Sequence, residues 1–411
     1  MAAPSVENFE MTAALADLTN WLIQQGLENT PVETWLEECC NRLVTAGIPL
    51  QRVNLTVRAH HPEIGTVAFR WHREDGNERM DFRRTREAPD DYLRSPLYHL
   101  VTNPIAEIRQ KLNDPDPALE FPIYDDLRAR GATEYYAAKR HFLHTDHTAT
   151  TNPMKSEEGM LISMTADAPG GFTDAQLDGL RALLAPLCLT LKCGANRLMA
   201  EDITAAYLGR DASKRVLSGA IARGSSDTIS AVIWYFDLQG FTKMSETLPG
   251  TSIIEMLNAY FGVAVDIVEK SGGNVLKFMG DGMLAIFDLD VIPDARHVAV
   301  EAAVEMRAGF DEINTQREAD DLPVTGFTLS LHAGDVLYGN IGGKTRLDFT
   351  VIGPAVNTTA RILGMCGPLD QTIVISSKVA EPLIGIRPDL VSLGQYRLRG
   401  VTDRQELFTL D

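Results

Sequence analysis

Apolar residues recur at helical spacing from about Asn8 to Gly26 and again from Val32 to Ala46, which predicts two opening helices. The pattern then switches to strand-like runs at Arg52–Arg58 and Gly65–Trp71, with a further strand candidate at Glu158–Ala166. The turn Pro169-Gly170-Gly171-Phe172-Thr173-Asp174 follows, and its Thr or Asp caps a helix expected to run through Leu191. Residues 1–195 therefore read as one mixed α/β region. In 196–224 the stretches Asp202–Tyr207 and Ala212–Ala222 are helix-prone, broken near Gly209 and too short for a coiled coil, so this segment reads as a helical connector. From 225 to 411 strands alternate with long helices, the pattern of a layered domain with helices packed on a sheet.

Composition narrows the class. The chain has 411 residues, 45% hydrophobic and 23% charged, which excludes a largely disordered or collagen-like polypeptide. The apolar stretch Leu180–Leu191 is interrupted by Arg181 and Pro186 and falls short of the roughly 20 helical residues that cross a bilayer. Glu7 and Glu10 stand where a secretory leader would be basic. A cytoplasmic protein with no membrane partner is the expectation. A net charge of −18 has the wrong sign for a protein that grips nucleic acid, so any anionic ligand needs a local cation. The five cysteines, Cys39, Cys40, Cys188, Cys193 and Cys366, form no CxxC pair and read as structural, mostly buried thiols in a reducing compartment. His60, His61, His72, His99, His141, His144 and His147 all fall in the first 150 residues, yet they lack a defined ligand spacing and read as loop histidines rather than a metal site. Trp21, Trp35 and Trp71 are expected in the core.

Three stretches carry chemistry. The run Ala231–Phe236 reads as a strand buried on both faces and ends in Asp237-Leu238-Gln239-Gly240-Phe241-Thr242. An unpaired buried Asp there would cost several kcal/mol, so it faces solvent, finds a partner or holds a cation. The Gly240-Phe241-Thr242 turn opens a helix whose free N–H groups suit phosphate oxygens. The second stretch, Gly272 to Phe287, reads as two short strands joined at Gly280-Asp281-Gly282, which puts a second acid on a turn. Two carboxylates on adjacent strand ends suit Mg²⁺-like cations completed by substrate phosphates. In the third, Asp348 to Arg361, a strand runs into a helix with Pro354 near its first position, so Asn357 and Arg361 share a helical face.

In this order FDxxGFT, KxxGD and TVIGxxVNxxAR resemble the catalytic domain of the class III nucleotide cyclases, over roughly Ile229–Asp411. The resemblance implies a ferredoxin-like βαββαβ α+β domain with helices packed on a central sheet. It also implies roles. Asp237 and Asp281, with the Leu238 carbonyl, match the ligands of two Mg²⁺ or Mn²⁺ ions. Lys277 and Thr350 match the base-selecting pair. Thr rather than the commoner Asp resembles a subgroup that includes bicarbonate-responsive enzymes. Asn357 matches the ribose-orienting residue and Arg361 the one that neutralises the α-phosphate in the transition state. Gly240, Phe241 and Thr242 match the phosphate-binding turn, and Arg399 a basic phosphate contact. Thr328 stands where the family commonly has Arg, and Pro354 where Asp or Asn is frequent. The implied activity is ATP to 3′,5′-cyclic AMP and pyrophosphate, at composite sites of a head-to-tail homodimer. The alternatives are GTP as substrate or a catalytically silent nucleotide-binding protein. The pattern of residues 1–195 resembles a GAF or PAS sensor module, with a small-molecule or bicarbonate regulator as the implied ligand.

Overall fold

The computed structural model describes residues 6–59, 63–85, 87–114, 120–142 and 159–411. His60, His61, His144 and His147 lie outside the described residues. The chain divides into two compact units, Met1–Ile203 and Thr204–Asp411.

The first unit comprises α1 (Val6–Glu28), α2 (Val32–Thr45), β1 (Leu50–Arg58), β2 (Ile64–His72), β3 (Gly76–Arg83), α3 (Asp90–Leu93), α4 (Pro96–Thr102), β4 (Glu107–Lys111), α5 (Ile123–Ala129), β5 (Glu134–His141), β6 (Gly159–Ala166) and α6 (Asp174–Leu208). Its six strands form one sheet in the order β3-β2-β1-β6-β5-β4, antiparallel at every pairing. Strand alternation sends Val53, Leu55, Phe69, Trp71, Ile162 and Met164 to one face, where they pack with Leu22, Trp35, Leu36, Leu184 and Leu187 from the helices. Trp35 and Trp71 are core residues as expected, whereas Trp21 is only partly buried, under the Arg42 guanidinium. Helix α6 opens with a reciprocal capping box: the Gln176 amide donates to Thr173 Oγ1 at 3.2 Å, and the Thr173 amide to Gln176 Oε1 at 2.9 Å. The helix does not stop near Leu191 but passes Pro186 and continues to Leu208, into the segment read as a connector.

The second unit comprises α7 (Arg210–Leu217), β7 (Ser226–Leu238), α8 (Phe241–Thr247), α9 (Gly250–Lys270), β8 (Asn274–Met279), β9 (Gly282–Asp288), α10 (Ala295–Ala319), β10 (Phe327–Gly342), β11 (Leu347–Ile352), α11 (Pro354–Leu363), α12 (Cys366–Leu369), β12 (Ile373–Ser376), α13 (Ser377–Ala380), β13 (Leu390–Tyr396) and β14 (Gln405–Leu410). The sheet order is β13-β14-β12-β10-β7-β9-β8, with β11 paired to β10. Within it β10-β7-β9-β8, all antiparallel, with α9 and α10 as the crossovers, is the βαββαβ arrangement expected. Even-numbered residues of β7 (Val232, Trp234, Phe236) face α9 and α10, whereas Ala231 and Ile233 face α7 and α11. Helix α7, also inside the expected connector, buries Ala212 on that second face. Helix α9 corrects the membrane reading in one respect, because by length and composition it is apolar enough to cross a bilayer and Leu180–Leu191 is not the stretch to weigh. Its Met256, Tyr260, Ala264 and Val268, at intervals of four, are fully buried against the sheet.

Candidate active site

Strand β7 carries its apolar run straight to Asp237, whose direct cross-strand partner on β9 is Gly282. By parity with Ala231 and Ile233 its side chain lies on the α7 and α11 face. The β8–β9 hairpin closes Met279 against Gly282 through Gly280 and Asp281, with Gly280 at φ 68°. A left-handed residue is needed at that corner, and glycine supplies it without steric cost. The Leu238 amide donates to the Asp281 carbonyl at 3.2 Å, which ties the two acid-bearing segments together. Gly282 matters for a second reason. A Cβ there would lie 3.0 Å from Asp237 Oδ1 and 3.0 Å from the Phe236 carbonyl, so only glycine leaves the carboxylate its place.

The electrostatics follow from this closeness. Burial, and then the Asp281 charge, push the Asp237 carboxyl up to about 6 from 3.8. The same two acids, after burial, raise the neighbouring Tyr235 phenol. Among the described residues no Lys, Arg or His pairs with Asp237 or Asp281, and no group of three or more His, Cys, Asp or Glu gathers as a metal nest. The donor set is thus two carboxylates and nearby backbone oxygen. This hard, anionic and incomplete shell fits a divalent cation whose remaining ligands are phosphate and water.

Beyond the acids, Gly240 adopts φ 67° and opens α8, leaving the first-turn amides of Phe241 and Thr242 outside the helical ladder. Lys277 on β8 pairs with Leu284 and reaches Asp348 Oδ2 at 3.3 Å. Asp348 and Thr350 are alternate residues of β11 and share a face, so Lys277 and Thr350 are drawn to one place. Thr350 Oγ1 is buried without a partner, a free acceptor or donor. Sequence reasoning gave Asp348 no role, although it is the group that holds the Lys277 ammonium.

Helix α11 starts with Pro354 at its first position and carries Asn357 and Arg361, both exposed and both without a side-chain partner among the described residues. Its place on the sheet is set by Gly334, where a Cβ would meet Ala355 Cβ at 2.8 Å, and by Ser330 Oγ donating to the Thr359 carbonyl at 2.9 Å. Arg399 is exposed in the turn after β13. Thr328 is the cross-strand partner of Asp237, and its hydroxyl lies 3.5 Å from the Asp237 carbonyl. The residue that departs from the expected Arg therefore sits directly beside the acid pair.

Residues 224–411 match the sequence model of the adenylate and guanylate cyclase catalytic domain. An adenylate cyclase of Anabaena cylindrica is 32% identical over 164 residues, 39% of this chain and 32% of that protein. Adenylate cyclase 1 of Rhizobium meliloti is 26% identical over 42% of this chain and 26% of its own length. The chain thus spans about a third of the length of the curated relatives it matches. Among solved structures, the adenylyl cyclase CyaB from P. aeruginosa is 23% identical with TM-score 0.42, over 46% of this chain and 96% of that one. The guanylyl cyclase Cya2 is 31% identical with TM-score 0.40, over 45% and 93%. With its acid pair, its strand order and its ordered motifs, the segment 224–411 is a catalytic domain of the adenylate and guanylate cyclase family.

Proposed function

We propose that this domain is an adenylate cyclase that converts ATP to 3′,5′-cyclic AMP and pyrophosphate. The observation that carries the reading is the pair Asp237, at the end of β7, and Asp281, in the turn between β8 and β9 and tied to β7 through the Leu238 amide, with the first carboxyl raised to about 6 and no cationic side chain among the described residues to relieve it. Divalent cations, Mg²⁺ or Mn²⁺ and two per site, would supply the charge that lowers the barrier to attack by the 3′-hydroxyl on the α-phosphate. Asp237, Asp281 and the Leu238 carbonyl would hold them. The amides of Phe241 and Thr242 after Gly240 donate to the triphosphate. Lys277 offers a donor to adenine N1 and Thr350 an acceptor to its exocyclic amine. Asn357 orients the ribose. Arg361 meets the charge that develops on the α-phosphate, and Arg399 binds the departing pyrophosphate. Removing a donor of the Arg361 kind costs about 10²–10³ in rate.

Among the described residues Asn357, Arg361 and Arg399 are exposed without a side-chain partner, and Phe278, Leu337 and Ile352 of the same unit expose apolar side chains. Both facts support a homodimer in which each protomer lends these groups to its partner's acids. Two measurements test the reading. Purified chain is incubated with Mn²⁺ and ATP, then with GTP, with Asp237→Ala as the control; cyclic GMP alone would overturn the base assignment, and no cyclic product would support the silent alternative. Mixed Asp237→Ala and Asn357→Ala chains should regain activity if the site is shared, and a dead mixture under subunit exchange refutes sharing. The first unit is proposed as a regulatory domain, and the five free thiols suit a reducing, cytoplasmic setting.

A further inference from the structure

The face of the first unit's sheet turned away from α1, α2 and α6 carries an apolar cluster over β4 and β5 and a buried polar patch over β2, β1 and β6. Direct cross-strand pairing aligns one row, His72, Arg52, Thr165, Tyr135 and Gln110, across β2, β1, β6, β5 and β4. The next row contains Arg70, Asn54 and Ser163. Arg52 is 7% exposed, His72 7% and Tyr124 0%, the last packed from α5 with its ring 5.2 Å from that of Tyr135.

Arg52 Nη1, Arg70 Nε, His72 Nε2 and Tyr124 Oη are all buried with no hydrogen-bond partner. All four can donate, the tyrosine hydroxyl being an acceptor as well. His72 Nδ1 accepts the Glu74 amide at 3.4 Å, which leaves the proton of the neutral ring on Nε2. Arg70 has a distant contact with Glu78 at 3.7 Å, but no carboxylate among the described residues reaches Arg52. Burial first, and then the Arg70 charge, bring the Arg52 guanidinium down to about 10. Burying a charge without a counter-charge costs several kcal/mol. A fold keeps such a group where something outside the chain completes it.

We propose that this face of the first unit is a binding site for a small oxyanion ligand, a carboxylate or phosphate ester, held by Arg52 and Arg70 with His72 Nε2 and Tyr124 Oη donating alongside. Tyr124 and Tyr135 form its apolar wall.

The test melts the full chain by tryptophan fluorescence, since Trp21, Trp35 and Trp71 lie in the first unit and only Trp234 in the second. The probes are orthophosphate, citrate and cyclic AMP, each against sodium chloride at matched ionic strength. At least one should raise the transition saturably, by about 5–10 °C at a hundred times its dissociation constant. Arg52→Met should melt higher than the parent without anion, because it removes an uncompensated buried charge, and should lose the saturable rise. Arg70→Gln, at a partly exposed position, keeps the test decisive if Arg52→Met does not fold, and should weaken the rise. The proposal is overturned if Arg52→Met melts lower without anion, since Arg52 then has an internal partner. It is equally overturned if no probe gives a saturable rise, or if Arg52→Met responds as the parent does, which marks a general salt effect. The measurement needs no turnover, so it stands apart from the proposed cyclisation.

Discussion

Replacing Gly282 by alanine separates the position of the Asp237 carboxylate from the stability of the domain. The added methyl would stand 3.0 Å from the Phe236 carbonyl, 3.0 Å from Asp237 Oδ1 and 3.4 Å from the Tyr235 ring. The carbonyl is fixed in the β7–β9 ladder, so the adjustment falls on the carboxylate, which retreats by a few tenths of an ångström. Crowding of this kind costs about 1 kcal/mol at the lower end of overpacking. Restricting the unfolded chain returns about 0.4–1 kcal/mol, because glycine is the freer residue. The two nearly cancel, and the melting temperature should move by no more than about 4 °C. Catalysis has no such compensation. Displacements of about 1 Å cost roughly 10²-fold, so a few tenths should cost about 5–10-fold in kcat/KM, accompanied by a raised Mn²⁺ requirement. The assay is Mn²⁺-dependent cyclic AMP formation on chain whose melting is measured in parallel. Unchanged turnover in folded Gly282→Ala would refute the idea that this carboxylate works from beside Gly282.

Three further outcomes follow from other parts of the fold. His332, buried with Nδ1 2.8 Å from Ser376 Oγ, is held by burial, and secondarily by Lys378, at about 4 rather than 6.5, so the folded state resists its protonation. Stability from this group is present above pH 6.5 and lost as pH falls towards 4, by about 3 kcal/mol; urea titrations should show the parent losing stability over that range more steeply than His332→Gln, and equal slopes would refute it. Asp348→Asn frees the Lys277 ammonium and should narrow the ATP-to-GTP preference with little change in melting temperature, read from the ratio of the two cyclic products. Glu134, fully buried and bonded to Arg109 at 2.6 Å, Lys111 at 3.1 Å and the Phe172 amide at 2.6 Å, should cost about 3–5 kcal/mol when cut to alanine, measured by denaturant unfolding of the first unit's tryptophans.

The acid-bearing motifs were legible because their backbone makes demands that few residues meet. The corner at Gly280 requires a left-handed residue, glycine at 282 is what leaves the Asp237 carboxylate its place, and a strand buried on both faces reads as the unbroken run Ala231–Phe236. Strand β3 escaped because it lies at the sheet edge with mostly exposed residues and no apolar alternation. Strand β5 begins with Glu134, a residue that reads as surface until Arg109, Lys111 and Phe172 are brought to it by the fold. Asp348 could not be assigned because Lys277 is 71 residues away and no local pattern joins them. The end of α6 was misjudged because apolar periodicity fades after Leu191, although the backbone ladder does not.

That fading makes α6 an unequal rod. Its first turn is locked by the Thr173–Gln176 box, its residues from Leu177 to Leu191 are buried at regular intervals, and none beyond Leu191 is. Backbone amides should therefore exchange slowly with deuterium up to Leu191 and quickly through 196–208, where Leu198, Ile203 and Tyr207 are exposed. A protease supplied in trace amounts would find its first foothold there, and the fragments it released would be the two halves of the molecule, each with its own core intact.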